Sequence, residues 1–165
     1  MMLDIGCGEK VRPGYHGVDM RPLPGVFLCR ADEILTIVEP GSVAAIYSRH
    51  MIEHLTFAAV TRTLAVWHTA LAPGGTVELI TPDLEYHARQ LLVDPEEPSA
   101  FNRTITNRQH ALRSLFGWQR DDDWDLHHSG FTEATLRREL TRAGFHGVRR
   151  VLGLPPWHLH MMGVA

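Results

Sequence analysis

The amino-acid sequence predicts an α/β fold in which helices pack on a mostly parallel sheet. Three observations lead to this prediction. Short apolar runs of strand length recur along the chain, a segment with helical spacing separates two of them, and glycines end the two clearest helical segments. The 165 residues are most simply one domain spanning 1–165, long enough to bury a sizeable core.

The first half of the chain alternates strands with helix or loop. Strands are predicted at Met2–Ile5, His16–Asp19, Val26–Cys29, Val43–Ser48 and Thr76–Pro82. The residues that recur at helical spacing are Leu55, Val60, Leu64, Trp67 and Leu71. Pro73-Gly74-Gly75 is expected to end that helix. Because parallel strands need long crossover connections, the alternation predicts a parallel sheet with helices packed on it.

The second half is less regular before it returns to the same pattern. Residues 84–120 have an irregular helical pattern, interrupted at Asp94-Pro95 and Pro98, and 121–125 is a polar loop. A further helix is expected from a cap at Thr132 or Glu133 to a stop at Gly144. The predicted closing strands are Val148–Leu152 and Leu159–Val164, which brings the sheet to seven strands.

Composition excludes several classes of protein. The net charge of -3 does not favour nucleic acid or an acidic membrane as partner. Cys7 and Cys29 are too few for a disulfide framework. No apolar run approaches the ~20 residues that a membrane span needs, and the N-terminus lacks the pattern of a signal peptide. These features predict a cytoplasmic protein.

A glycine loop directly follows the first strand. Gly6 and Gly8 let the backbone turn tightly and a ligand approach closely. A dinucleotide fingerprint needs a further glycine where Val11 stands, so an NAD-dependent oxidoreductase is disfavoured. The loop also lacks the Gly-Lys-Ser/Thr of a phosphate loop. Asp4 beside the glycines suits a ligand that carries a positive charge.

Two more carboxylates follow the next strands of the predicted sheet. Asp19 ends the second strand, where an acid can accept hydrogen bonds from both hydroxyls of a ribose. Asp32 follows the third strand, where a carboxylate could accept from an adenine amino group. Each acid alone is more readily explained as a turn or cap residue. Together with Asp4 they would line one crevice at the carboxyl ends of adjacent strands, which favours a ligand site.

The order and spacing of the motifs resemble a known family. "LDIGCG", "GVDM", "IYSRHMIEHL", "LAPGGTVELITPDL" and "GFTEATLRRELTRAGF" resemble class I S-adenosylmethionine-dependent methyltransferases, particularly the small type 11 group. The resemblance covers nearly the whole chain. It implies a Rossmann-like, doubly wound, seven-stranded and mostly parallel sheet with an antiparallel last strand. The chain departs from the family pattern in two places. Lys10 stands where the third glycine of the loop would be. Pro13-Gly14 leaves room for at most one turn of the usual first helix.

The resemblance also implies S-adenosylmethionine as cofactor and a set of residues around it. Asp4, Gly6 and Gly8 would line the methionine end, and Asp19 would hold the ribose hydroxyls. Met20 would pack on the adenine, with Asp32 on its amino group and Glu33 beside it. Ser48 and Arg49 would pass close to the sulfonium. These implied roles fit a cationic ligand without phosphate.

Eleven histidines raise the question of metal binding and catalysis. His50 and His54 are four residues apart, as in some zinc sites, but no HExxH pattern or nearby cysteine supports them, so no metal is expected. In the resembling family, Glu53-His54 sits at the rim of the active site, where either residue could orient a substrate. If an oxygen or nitrogen acceptor needs a base, the candidates are His50, His127 and His128, with His128 and His50 favoured.

Residues 84–124 are expected to form a helical insertion or lid over the acceptor. Aromatic residues and arginines there could hold a ring, a sugar or an anionic group, although inward packing of the aromatics in a helical hairpin is the favoured explanation of these residues. The predicted function is direct methyl displacement onto a small-molecule or carrier-linked sugar acceptor, with nucleic acid disfavoured. The alternative is a catalytically inactive cofactor-binding module with a regulatory or assembly role. The sequence leaves open whether the chain forms a homodimer.

Overall fold

The computed structural model describes residues 1–120 and 123–165. The strands are β1 (Met2–Ile5), β2 (His16–Asp19), β3 (Phe27–Leu28), β4 (Val43–Arg49), β5 (Leu71–Pro82), β6 (His146–Arg150) and β7 (His158–Val164). The α-helices are α1 (Phe57–Ala70), α2 (Leu84–Leu92), α3 (Asn107–Phe116) and α4 (Glu133–Arg142). Of the predicted polar loop at 121–125, Asp121 and Asp122 lie outside the described residues.

All seven strands belong to one sheet with the order β3-β2-β1-β4-β5-β7-β6. The neighbouring pairs from β3 to β5 are parallel, whereas β7 runs antiparallel to both β5 and β6. The prediction of a Rossmann-like, mostly parallel sheet with an antiparallel last strand is therefore confirmed. The strand order changes direction between β1 and β4, and ligands of such sheets bind outside the carboxyl ends of the strands at this point.

One face of the sheet carries the apolar core. Alternate residues of the strands point to this face, and α1 and α4 pack on them. The core side chains include Leu3, Ile46, Val77 and Leu79 of the sheet, Leu64 and Trp67 of α1, and Leu136 and Leu140 of α4. The indole Nε1 of Trp67 donates to the carbonyl of Ala31 over 2.9 Å, so the largest buried side chain leaves no polar atom unpaired.

The loop between β1 and β2 contains no helix, in agreement with the short spacing in the sequence. It lies against the other face of the sheet through Arg12. The guanidinium of Arg12 forms a 2.7 Å ion pair with Glu78 of β5 and lies 4.2 Å from the centre of the Tyr47 ring of β4. A charged side chain thus covers part of this face of the sheet.

The predicted helix in the middle of the chain begins and ends differently in the structure. Helix α1 begins at Phe57 rather than at Leu55, because the hydroxyl of Thr56 accepts a hydrogen bond from the backbone N–H of Ala59 and caps the helix. Pro73-Gly74-Gly75 does not terminate the helix as expected. These residues belong to β5, which begins at Leu71 directly after α1.

The reason for this early start of β5 lies in distant backbone partners. Leu71 pairs with Val43 of β4, and the backbone of Gly74 and Gly75 exchanges hydrogen bonds with Ala165. Two other strands differ from their predicted bounds. Strand β6 begins at His146, two residues before its predicted start, and β3 is shorter than predicted. Helix α4 agrees with prediction, with Thr132 as its cap and Gly144 just beyond its end.

Candidate functional site

A cavity of about 670 Å³ lies at the carboxyl ends of β1, β2 and β4, beside the change in strand order. This volume is within the range of roughly 300–1,000 Å³ that small-molecule sites occupy. Six of the eleven residues predicted for the site line it, namely Gly6, Asp19, Met20, Asp32, His50 and His128. The cavity therefore brings together residues from both the predicted cofactor set and the predicted catalytic set.

Asp19 is the buried acid of the cavity. One carboxylate oxygen accepts from the backbone N–H of Gly8 over 2.9 Å, and the other accepts from the backbone N–H and the Nε of Arg21. Burial by itself raises the pKa of Asp19, but the hydrogen bonds from Arg21 and Gly8 outweigh it and hold the pKa below its usual value. The carboxylate is therefore ionised and oriented before any ligand binds.

Gly6 gives the loop its close approach to the cavity. Its φ of +72° lies in the left-handed region, and a Cβ at this position would come within 2.3 Å of Cγ of Met51. No other residue type satisfies both conditions without moving the backbone or Met51. The glycine predicted from the loop pattern is thus required by the local geometry.

Five residues of the predicted cofactor set do not line this cavity: Asp4, Gly8, Glu33, Ser48 and Arg49. Asp4 is buried and accepts from the backbone N–H of Arg12 over 2.7 Å, which ties the loop to β1; its burial raises its pKa. The buried hydroxyl of Ser48 donates to the last carbonyl of β1. Glu33 and Arg49 are exposed at the surface. Asp4 and Ser48 thus contact the chain itself rather than the cavity.

Three arginines that the sequence analysis missed stand around the cavity acids. Arg21 pairs with Asp19, and Arg30 pairs with Asp32 over 3.2 Å. Arg62, which projects from α1, lies 3.7 Å from the same carboxylate of Asp32. Arg21 and Arg30 each lie two positions from their acid in the sequence, whereas the approach of Arg62 depends on how α1 packs and has no signal in the sequence.

The opposite end of the cavity is rich in histidine. His50, His54 and His128 line it together with Trp124 and Asp125. His50 stands directly after β4 with a φ of +52°, a left-handed conformation that is costly for a residue with a side chain. Its Nδ1 lies 3.0 Å from a carboxylate oxygen of Glu53. A strained residue held by a buried acid is an arrangement that recurs at functional sites.

Glu53 connects the two segments that form this end of the cavity. Its side chain is 1% exposed, and its second carboxylate oxygen accepts from the hydroxyl of Thr81 over 3.1 Å. Its backbone carbonyl accepts from the N–H groups of His128 and Ser129. Burial raises the pKa of Glu53, but the hydrogen bond and charge of His50 bring it below the usual value.

His54 and His127 form a pair beside Glu53. Their rings meet edge to face with centres 4.7 Å apart. Nδ1 of His54 lies 2.9 Å from the carbonyl of Leu126, and Nδ1 of His127 lies 2.8 Å from the carbonyl of Ser114. The sequence analysis considered His54 with His50, but the partner that the fold supplies is His127, from a segment more than seventy positions away.

Comparison with known proteins gives the family. A family model described as a methyltransferase domain matches residues 2–149, which is most of the chain. This chain belongs to that methyltransferase family. The sequence-based predictions of the family, of the enzyme class and of S-adenosylmethionine as the cofactor of such enzymes are confirmed. No curated protein is significantly similar to the sequence.

Solved structures are similar to the methyltransferase in fold. A SAM-dependent methyltransferase from Archaeoglobus fulgidus is 13% identical with a TM-score of 0.64, over 99% of this chain and 85% of that one. One from Mesorhizobium loti is 20% identical with a TM-score of 0.58, over 99% and 90%. The Burkholderia thailandensis 1,6-didemethyltoxoflavin-N1-methyltransferase, bound to 1,6-didemethyltoxoflavin and S-adenosylhomocysteine, is 18% identical with a TM-score of 0.61, over 99% and 69%.

The methyltransferase carries no candidate for a membrane span in the part of the chain that the structure describes. None of its described helices combines the length and the apolar character that crossing a bilayer requires.

Proposed function

We propose that the methyltransferase moves the methyl group of S-adenosylmethionine to a small-molecule or carrier-linked sugar acceptor by direct displacement. The observation that carries the proposal is the division of one cavity into two chemically different ends. Asp19 ends β2 and Asp32 follows β3, whereas His50 and His54 follow β4 on the other side of β1 in the sheet, and His128 is hydrogen-bonded to Glu53 beside them. A donor and an acceptor held in one cavity can react with little loss of orientation entropy.

The acidic end has the chemistry that S-adenosylmethionine requires. Asp19 would hold the ribose hydroxyls, Met20 would pack on the adenine and Asp32 would accept from its amino group, while the bare backbone of Gly6 makes room beside the methionine part. This cofactor supplies a methyl group already activated on a sulfonium. It has no phosphate that Asp19 and Asp32 would repel, and its ribose and adenine offer hydrogen-bond donors to carboxylates that Arg21, Arg30 and Arg62 already hold in place.

The other proposed cofactor residues would act in different ways. Asp4, Gly8 and Ser48 would act through the loop and strand that they hold by hydrogen bonds. Glu33 and Arg49 are exposed near the site and would have to contact the cofactor from its open side. Their contribution to binding is therefore expected to be smaller than that of Asp19.

The histidine end is proposed to receive the acceptor. His50 and His128 would contact the acceptor atom and take its proton, and Trp124 would stack on a ring or a sugar. The place of Trp124 in the cavity lining supports a role of 84–124 as a lid. The toxoflavin-type substrate of the Burkholderia neighbour supports a small heterocycle as one class of acceptor to test. A cytoplasmic location stays a prediction.

Calorimetry with S-adenosylmethionine and S-adenosylhomocysteine tests the cofactor site. We expect micromolar binding by the native chain, and a loss of binding in Asp19→Asn, which keeps the shape but removes the charge. Asp94→Asn is the matched control, because Asp94 is exposed and does not line the cavity. Failure of the folded native chain to bind, or equal binding by Asp19→Asn, would contradict the proposed site.

A second assay separates an active enzyme from the inactive binding module. The absence of a helix in the loop after β1 is the observation that favours the module. Panels of hydroxylated heterocycles and of carrier-linked sugars are incubated with methyl-labelled S-adenosylmethionine. Transfer to an acceptor, slowed roughly 100-fold or more in His50→Gln, supports catalysis. Binding of cofactor without transfer to any panel would support the module.

A further inference from the structure

A compact group of potential metal ligands lies behind the histidine end of the cavity. Within the described residues, one ligand atom from each of Glu53, His54 and His127 lies within 4.8 Å of the other two. Metal–nitrogen and metal–oxygen bonds of about 2.0–2.2 Å place the ligands of one ion roughly 3–4 Å apart. The three side chains are therefore already close to the spacing that a single ion needs.

The hydrogen bonds of the two histidines leave one ring nitrogen of each histidine free to bind a metal ion. Nδ1 of His54 and Nδ1 of His127 each face a backbone carbonyl, at 2.9 Å and 2.8 Å. A carbonyl only accepts hydrogen bonds, so both Nδ1 atoms carry the proton and both Nε2 atoms carry a lone pair. A ring nitrogen held in this way by a carbonyl is the usual environment of a metal-binding histidine.

Glu53 supplies an oriented negative charge. One carboxylate oxygen contacts Nδ1 of His50 and the other accepts from Thr81, which fixes the plane of the carboxylate. Each oxygen has two lone pairs, so both contacts leave a lone pair free. A buried carboxylate needs hydrogen bonds or a cation, and Glu53, which is 1% exposed, keeps lone pairs for a metal ion beside its contacts with His50 and Thr81.

We propose that Glu53, His54 and His127 bind a divalent first-row transition metal ion such as Zn²⁺. Two imidazoles and one carboxylate are the protein ligands of several catalytic zinc and iron sites, in which the remaining positions stay open. Ca²⁺ and Mg²⁺ are disfavoured because they take oxygen ligands almost exclusively.

The position of the site gives the metal a function. His54 lines the cavity, and His128, the neighbour of His127, lines it as well. An acceptor hydroxyl coordinated to the ion would lose its proton more readily, as metal-bound water does. This role rests on the proposed methyl transfer, whereas metal binding itself does not.

Titration of the chelator-treated protein with Co²⁺, followed by its visible absorption, measures binding without any assay of activity. We expect one ion per chain and displacement by Zn²⁺. His54→Asn and His127→Asn are suitable variants, because asparagine retains an N–H donor for the carbonyl but removes Nε2. His146→Asn is the matched control, since His146 is exposed on β6.

Loss of a ligand should weaken binding more than the roughly 10–100-fold that loss of a ligand's hydrogen-bond partner causes. The expected result is therefore loss of the Co²⁺ absorption in both asparagine variants and no change in the control. Thermal unfolding confirms that each variant is folded. Two results would overturn the proposal: no stoichiometric binding by the folded native chain, or equal binding by the asparagine variants. Cofactor calorimetry on the same samples shows independently whether the methyl-donor site is intact.

Discussion

At the scale of single residues, the site depends on backbone conformations that few residue types adopt. Gly6 and His50 both have positive φ angles, and both border the cavity. Gly6 tolerates this conformation because it has no Cβ, whereas His50 adopts it at a cost. The contact between His50 and buried Glu53 helps to hold that strained position.

Substitution of Gly6 tests whether this position needs both a positive φ and the absence of a Cβ. Gly6→Ala should lose stability both through its positive φ and through the clash with Met51. Gly25 is the matched control, because its φ is also +72° but nothing lies within 4 Å of a Cβ there. We expect Gly25→Ala to cost about 1–2 kcal/mol. Gly6→Ala should lower the free energy of unfolding, measured in urea, clearly more than Gly25→Ala does, and it should lose binding of S-adenosylhomocysteine. An equal loss of stability in the two variants would argue against the clash with Met51.

A comparison of two variants at His50 measures the backbone strain. His50→Gly and His50→Ala both remove the imidazole and its contact with Glu53, but only glycine adopts a φ of +52° readily. We expect the glycine variant to be about 1 kcal/mol more stable than the alanine variant in urea unfolding. Both should be impaired in methyl transfer. A more stable alanine variant would show that the strain is absent in solution.

At the scale of elements, a buried polar network joins α2 to the segment that leads into α3. His87 contacts Gln90 over 2.9 Å, and Gln90 donates to Asn107. His110 contacts the hydroxyl of Ser99, also over 2.9 Å. Because buried polar groups are costly when unpaired, this network favours one arrangement of the two helices. The proposed lid is thus held in part by hydrogen bonds that join His87 to Gln90, and His110 to Ser99.

The network makes the stability of the protein depend on pH. Burial, with the nearby His87 and Arg113, lowers the pKa of His110 to about 4. The unfolded chain therefore binds a proton at higher pH than the folded chain, so stability is constant above about pH 6.5 and falls as the pH drops toward 4. We expect His110→Gln to flatten this fall in urea unfolding measured from pH 7.5 to 4.5.

Some of the slope should remain in that variant. Burial and the charge of His50 also lower the pKa of His158 to about 4, and the pKa of His87 is lowered by burial. His146→Gln, on an exposed residue, serves as the control and should leave the slope unchanged. An identical slope in His110→Gln and the native chain would mean that His110 is accessible to solvent protons in the folded state.

At the scale of the whole molecule, the site exists only because several distant segments meet. The ends of β1, β2 and β4 provide one part of the cavity, and residues 124–128 close the other. The backbone carbonyl of Glu53 accepts from His128 and Ser129, and His54 contacts Leu126, so the two sides are joined by direct hydrogen bonds. Binding in the cavity should therefore stabilise the fold as a unit.

Ligand-linked stability tests this expectation. S-adenosylhomocysteine at 100 times its dissociation constant should raise the free energy of unfolding by about 2.7 kcal/mol, because only the folded chain binds it. Differential scanning fluorimetry and urea unfolding measure the change. Asp19→Asn should show no increase. NAD⁺ serves as the control ligand for the dinucleotide alternative, and a comparable increase with NAD⁺ would contradict the assignment of the cavity.

The sequence by itself determined the fold class and much of the cofactor end. Strands β1 and β2 match their predictions, β7 does so within one residue, and Thr132 and Gly144 bound α4 as expected. These features are local, because apolar periodicity, caps and glycine loops act through neighbouring residues. Asp19 and Asp32 reach one cavity because parallel strands present their carboxyl ends at the same edge.

Only the tertiary structure decided the features that depend on distant partners. Leu71 to Gly75 became part of β5 because Val43 and Ala165 offer their backbone groups there. Glu53 became a buried acid between histidines because the segment after α3 folds back over it. The pairing of His54 with His127 follows from the same packing. Apolar periodicity indicates which face of an element is buried, but it does not indicate which segment packs against that face. The histidine end of the cavity depends on which segment packs there.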